Sequence, residues 1–184
     1  YPLLSFRESG YTKDFQNFAT DTNLWTRTLM ALVMSEYRRF LFADIKRNIK
    51  PVVMLKSQKI DESKKFYEEF FRKIKELTSY DLMNLELVGI EKLTEAIQYF
   101  KGKDETLENL KHSIKNAFAE DTSIIMNGSS DNNKKNQLLV NSLEDLDNPI
   151  RLIFAVDMLN EGWDVLNLFD IVRLYDTRQG SGKA

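Results

Sequence analysis

From Leu24 onward, apolar residues recur at helical spacing. Trp25, Leu29, Leu32, Val33, Tyr37, Phe40, Leu41 and Ile45 fall on one stripe, with charges between them. The pattern predicts a helix from Leu24 to about Asn48, capped by Asp21 or Thr22. The segment before it, "YPLLSFRESGYTKDFQNFATDTN", mixes aromatic and polar residues without a period, and an irregular arm is expected there. After Pro51 the pattern changes. Val52 to Leu55 form a short unbroken apolar run, which suits a strand buried on both faces of a parallel sheet. In "DESKKFYEEFFRKIKEL", Asp61 is the expected N-cap, and Phe66, Phe70, Phe71, Ile74 and Leu77 mark one helical face. Strand followed by amphipathic helix is the βα unit of an α/β fold.

Between about Thr78 and Glu120 the strand rhythm is interrupted. One stripe runs through Leu87, Ile90, Leu93, Ile97 and Phe100, broken at Gly89; a second joins Leu107, Leu110, Ile114 and Phe118. Two helices joined by "KGKDE" are expected, as an insertion beside the sheet. The βα pattern then resumes. "SIIM" is a strand ending at "NGSSD", and Asp131 is the expected cap of a helix to about Leu143 with Leu138, Leu139 and Leu143 inward. "NPIRLIFAV" and "FDIVRLYD" are two further strands, the last with Ile171, Val172 and Leu174 apolar. Four short strands with helices between them predict a right-handed crossover parallel sheet. The division expected is an arm and long helix over 1–48, an α/β lobe over 49–178 with its insertion at about 78–120, and a linker tail over 179–184.

Composition narrows the chemistry. The chain has 184 residues and no cysteine, which excludes disulfides and thiolate zinc sites and fits a reducing, cytoplasmic compartment. A single histidine, His112, argues against a transition-metal site, and its place on a charged helix predicts a solvent-facing ring. No apolar run approaches the roughly 20 residues of a membrane span, so no membrane partner is expected. The net charge of -2 gives no global sign of nucleic-acid binding, although a local groove can still be basic. Tyr1 at the start and the polar "RQGSGKA" at the end suggest a piece of a longer protein.

In open parallel sheets, ligands bind beyond the carboxyl ends of the strands. Those ends carry "LKSQK", "NGSSD", "DMLNEGWD" and "YDTRQGSGK". Small hydroxyls, free backbone amides, Lys56 and Lys59 suit phosphate contacts there. The competing reading is that loops are polar whatever they do. "GSGKA" is not a phosphate loop. With Gly182-Lys183 as the Gly-Lys pair, Thr177 stands where the first glycine belongs and Ala184 replaces the hydroxyl residue. Asn127-Gly128-Ser129 fits a glycosylation acceptor, but a cysteine-free chain without a signal peptide gives that little weight. The lysines and arginines of the Lys64–Glu76 stretch alternate with glutamates, as on a solvated helix face.

At "IRLIFAVDMLNEGWDVLNLFDIVRLYDTR" an apolar strand, V-D-M-L-x-E-G-W-D-V-x-N and a second strand stand in series. This resembles motif V of superfamily 2 helicases. The E-G-W-D form, followed by "LYDTRQGSGKA", looks most like the Res subunit of type III restriction enzymes. "KPVVMLKSQ" resembles motif IV of the same proteins, and "SIIMNGSSD" the strand and loop between the two. The resemblance is clear over Lys50 to Lys59 and Thr122 to Ala184, and faint elsewhere. It implies an α/β, parallel-sheet, RecA-like helicase lobe, the second of two, without a phosphate loop of its own and with a helical insertion. ATP and Mg2+ would be bound mainly by the first RecA-like lobe of the same chain. Double-stranded DNA and a modification (methyltransferase) subunit would be partners, and a separate nuclease domain would cut.

The resemblance assigns Glu161, Gly162 and Asp164 to the ATP cleft. Gly162 would allow close backbone approach, and Asp164 would bond the nucleotide ribose or an arginine. Lys56 and Ser57 would meet DNA, as would Asn127, Gly128 and Ser129. Val156 stands where many such helicases place a threonine that touches a phosphate, so contact there would fall to backbone amides. Asp157 belongs to the motif without a fixed role. Trp163 is either an apolar anchor for the loop or a stacking surface for a base. No Walker motif and no paired-arginine motif VI is present, so this chain alone is expected not to hydrolyse ATP. Two alternatives remain: a lobe of another superfamily 2 helicase without nuclease, or a non-catalytic α/β interaction module.

Overall fold

The computed structural model describes residues 22–126, 132–156 and 165–175. Its centre is a four-stranded parallel sheet formed by β1 (Val52–Ser57), β2 (Ser123–Met126), β3 (Leu152–Val156) and β4 (Leu168–Arg173), in the order β2-β3-β1-β4. β1 and β3 occupy the middle, which is why their apolar runs are unbroken. All five residues of β3 are buried, as are Val52 to Leu55 of β1.

Side chains alternate between the faces of the sheet. Val53, Leu55, Leu152 and Phe154 join the larger core; Val52, Met54, Ile153 and Ala155 join the smaller one. The larger core is covered by α1 (Leu24–Asp44) and α2 (Ile60–Glu76), and it continues without a break into the inserted helices. The smaller core is covered by α6 (Asn132–Asn141) and the turn that follows it, through Val140, Leu143 and Ile150. On α2, the predicted face of Phe66, Phe70, Phe71, Ile74 and Leu77 is buried. Phe70 and Phe71 meet Phe154 of β3 with ring centroids 5.5 and 6.1 Å apart.

Several element ends differ from the sequence expectation. Asn23, not Asp21 or Thr22, caps α1: its Oδ1 accepts from the Thr26 N–H at 2.8 Å, the reach of a residue directly before the first turn. The helix ends at Asp44, four residues early. Lys46 adopts φ 59, its N–H bonds the Ala43 carbonyl, and the Arg47 N–H bonds the Phe42 carbonyl. That is a Schellman stop with lysine where glycine is usual, and periodicity does not reveal it. Ile45 is consequently 67% exposed rather than on the apolar face. Asp61 does not cap α2. Lys59 holds the cap position without a side-chain bond, while Asp61 and Glu62 lie in the first turn, where they complement the helix dipole.

The insertion has three helices, not two. α3 (Ser79–Asn84) opens on a capping box between Thr78 and Asp81 and passes into a 3-10 turn over Leu85–Val88. Gly89, at φ 76, stops that turn; α4 (Glu91–Lys101) and α5 (Glu108–Ala117) follow. Leu87, expected on the first stripe, is therefore 85% exposed, because the stripe begins only after the glycine. Leu107, Leu110, Ile114 and Phe118 are buried as expected. α4 and α5 pack on α1, so the insertion lies on the helix that precedes the lobe. Leu139 of α6 and Leu143 of the turn after it pack inward, but Leu138 is exposed because Val140 takes the inward place. Ile171 is also exposed, since the face of β4 on the α6 side has little cover. The expected cap Asp131 lies outside the described residues.

Candidate functional site at the strand ends

Because every strand pair is parallel, the four carboxyl ends gather at one edge. The register sets Ser57 beside Val156, and Lys56 between Ala155 and Arg173. Alternation places Ser57 and Val156 on the face of α1 and α2, and Lys56 and Arg173 on the face of α6. Ser57 is buried, and its Oγ has no hydrogen-bond partner among the described residues. Val156 is buried too, so only its backbone is available to a ligand. Lys56 is half-buried, and its carbonyl accepts from the Leu174 N–H at 2.8 Å, which extends the β1–β4 pairing past the last strand residue. Asn127, Gly128, Ser129, Asp157, Glu161, Gly162, Trp163 and Asp164 lie outside the described residues. The structure thus brings Lys56, Ser57 and Val156 together at the edge from which those loops leave.

The final asparagine of the motif V pattern, Asn167, is described, and it lies at the opposite edge. Its Nδ2 donates to the Leu143 carbonyl at 2.6 Å and the Lys50 carbonyl at 3.1 Å, tying the entrance of β4 to the turn after α6 and to the entrance of β1. A cavity of about 710 Å3 opens at this amino edge, lined in part by Arg39, Lys50, Arg151 and Asn167. This cavity and the group of Lys56, Ser57 and Val156 therefore sit at opposite edges of the sheet. The cavity arises where helix ends and strand starts meet.

Sequence reading missed a buried charge network beside that cavity. Glu36 of α1 is fully buried and accepts from Arg39 Nη2 at 2.7 Å, from Arg151 Nη2 at 2.9 Å and from the Ser113 hydroxyl of α5. Arg151 also donates from Nε to the Pro51 carbonyl at 2.7 Å and lies 5.0 Å from the centre of the Phe118 ring. Burial alone would raise the Glu36 pKa; the hydrogen bonds from Arg39 and the charge of Arg151 prevail and hold it below the ordinary value. The signal was present in the sequence, since Glu36 interrupts the apolar stripe between Val33 and Tyr37, and Arg151 interrupts an apolar strand. Among the described residues no group of three or more His, Cys, Asp or Glu side chains could hold a metal ion, and no helix is long and apolar enough to cross a membrane. His112 is exposed, as its charged helix predicted.

The described architecture is that of an α/β, parallel-sheet, RecA-like lobe bearing a helical insertion. In sequence, the chain is 32% identical over 202 aligned positions to a Haemophilus influenzae protein named "Probable type III restriction-modification enzyme HindVIP Res subunit". That alignment covers 99% of this chain and 39% of the relative, so the chain spans well under half of the relative's length. The resemblance first carried by motifs IV and V thus extends over the arm and the insertion, and the chain is homologous to part of a type III Res subunit. No protein-family model matches the chain, and no solved structure does.

Proposed function

We propose that this chain is the second motor lobe of an ATP-dependent DNA translocase, the restriction (Res) subunit of a type III restriction-modification system. The observation that carries the reading is the similarity to a Res subunit along 99% of the chain. In this reading the strand-end loops face a cleft shared with a first RecA-like lobe. That first lobe supplies most of the contacts to ATP and magnesium. Glu161, Gly162 and Asp164 form this lobe's side of the cleft. Lys56, Ser57, Val156, Asp157 and the Asn127–Ser129 loop run along the phosphate backbone of double-stranded DNA. A modification subunit recognises the site, a separate nuclease domain cuts, and the complex works in the cytoplasm. The grouping of Lys56, Ser57 and Val156 at the edge where both motif loops depart supports this assignment.

The test is Asp164→Ala in the full-length protein. DNA-dependent ATPase turnover should fall about ten- to a hundredfold, the kinetic equivalent of one charged hydrogen bond, with the melting temperature unchanged. Unaltered turnover would remove Asp164 from the cleft. This chain by itself should show no DNA-stimulated ATP hydrolysis, and measurable turnover by the purified chain would contradict the division of labour between lobes.

A further inference from the structure

The amino-edge cavity lies at the other edge of the sheet from Lys56, Ser57 and Val156, and two polar atoms of its lining residues have no partner among the described residues. Lys50 Nζ is buried without a hydrogen bond among the described residues. Asn167 is only 6% exposed; its Nδ2 is committed to two carbonyls, and its Oδ1 has no partner. A buried donor and a buried acceptor left unanswered in one lining call for an occupant, since native interiors rarely leave such groups unpaired.

The charge of the lining indicates what the occupant carries. Arg39 and Arg151 are committed to Glu36. Arg47 is exposed and makes no ion pair among the described residues. Glu144 and Asp145 are the acids of the lining, and the Glu144 carboxylate already accepts from the Leu166 N–H at 2.8 Å. Helix dipoles give a competing account of the cations, because α1 and α5 end at this edge. That account suits Arg47, which follows the last turn of α1. It does not suit Lys50, six residues past the helix, whose ammonium is shut away from water. Burial and then the charge of Arg151 push the Lys50 pKa down, against the pull of Asp147 and Asp145, so an anion beside it would be favoured.

We propose that this cavity binds a small phosphate-bearing ligand, with Lys50 and Arg47 on the phosphate and Asn167 Oδ1 accepting from a ligand hydroxyl or N–H. A singly protonated phosphate offers both the anionic oxygen and the hydroxyl. A volume of about 710 Å3 also leaves room for an organic group against Ile49, Leu166 and Phe169. Lys50 reaches the phosphate by rotating its flexible stem; Asn167 is already held by its amide nitrogen.

Titration calorimetry on the full chain, in chloride buffer, with inorganic phosphate and separately with AMP, tests this. Saturable binding of either ligand is expected. Lys50→Met keeps the apolar stem, should not lower the melting temperature, and should raise Kd at least about tenfold. Arg47→Gln, an exposed change that leaves the fold intact, should raise Kd about threefold or more. Lys56→Ala, at the other edge, should leave Kd unchanged. AMP binding tighter than phosphate assigns the apolar wall to an organic group; equal affinities assign the site to the free anion. No binding of either ligand up to about 10 mM overturns the proposal. So does binding that survives both Lys50→Met and Arg47→Gln, or that is lost in Lys56→Ala.

Discussion

Glu36 has no exposed surface, yet it serves two guanidinium groups and a hydroxyl drawn from α1, α5 and the residue before β3. Removing its charge leaves Arg151, itself 6% exposed, beside Arg39 with no counter-ion. Glu36→Gln should therefore cost about 3 kcal/mol, the lower end for breaking a buried pair, because Arg39 is partly exposed and water recovers some of its share. Denaturant midpoints give that number. Its pH dependence has a definite sign. The folded-state pKa of Glu36 is depressed below 4.5, so its contribution is full above about pH 4.5 and is lost as pH falls through the folded value. The deficit of the glutamine variant should hold steady above pH 4.5 and shrink below it. A deficit that stayed constant to pH 3 would mean that the carboxylate charge is not what Arg151 needs. Asp170 has the opposite sign: burial raises its pKa more than the 2.5 Å pair with Arg38 lowers it, so its protonation favours the fold as pH falls. Wild type and variant share that term, and it cancels in the comparison.

Among the elements, the insertion shows how local signals set boundaries that periodicity blurs. The hydrophobic stripes on α4 and α5 were legible, since residues spaced three and four apart must share a face. The existence of α3 was not. Its signal is Thr78 followed three residues later by Asp81, where each side chain bonds the other's backbone N–H, at 3.2 and 2.8 Å. Thr78→Ala should cost about 1 kcal/mol. The loss should be local: amide exchange should quicken over Ser79–Val88 and stay unchanged in β1 and β3. Uniform acceleration across the sheet would show that α3 unfolds only with the whole lobe. Lys46 makes the complementary point. A lysine in the left-handed region costs energy that no one-dimensional pattern announces, and here the bonds of the Schellman stop offset it.

For the molecule as a whole, parallel pairing is the decisive fact. It sends every strand's carboxyl end to one edge and leaves Lys56 there, half-buried, next to Arg173 in register. If that edge tracks DNA phosphates in the full-length protein, Lys56→Gln should weaken binding equally across DNA sequences. It should also reduce the slope of log K against log salt by roughly one. Filter binding or anisotropy between low and moderate salt measures the slope; an unchanged slope would remove Lys56 from the interface. The parallel arrangement also opens the amino edge, where helix ends and strand starts leave the cavity between them.

The sequence by itself determined the α/β class, the four strands, the buried faces of α2 and α5, and the kinship with a Res subunit. Strand runs, helical periods and motif spacing are local properties, and a local pattern survives without knowledge of its neighbours. It did not determine that β1 lies between β3 and β4, that Leu138 and Ile171 face outward, or that Glu36 and Arg151, 115 positions apart, meet in the interior. Those depend on which surfaces come together. The same holds for Asn167: the sequence reads it as the end of a motif, and only the tertiary structure places it at the amino edge of the sheet, bonded to the Lys50 and Leu143 carbonyls.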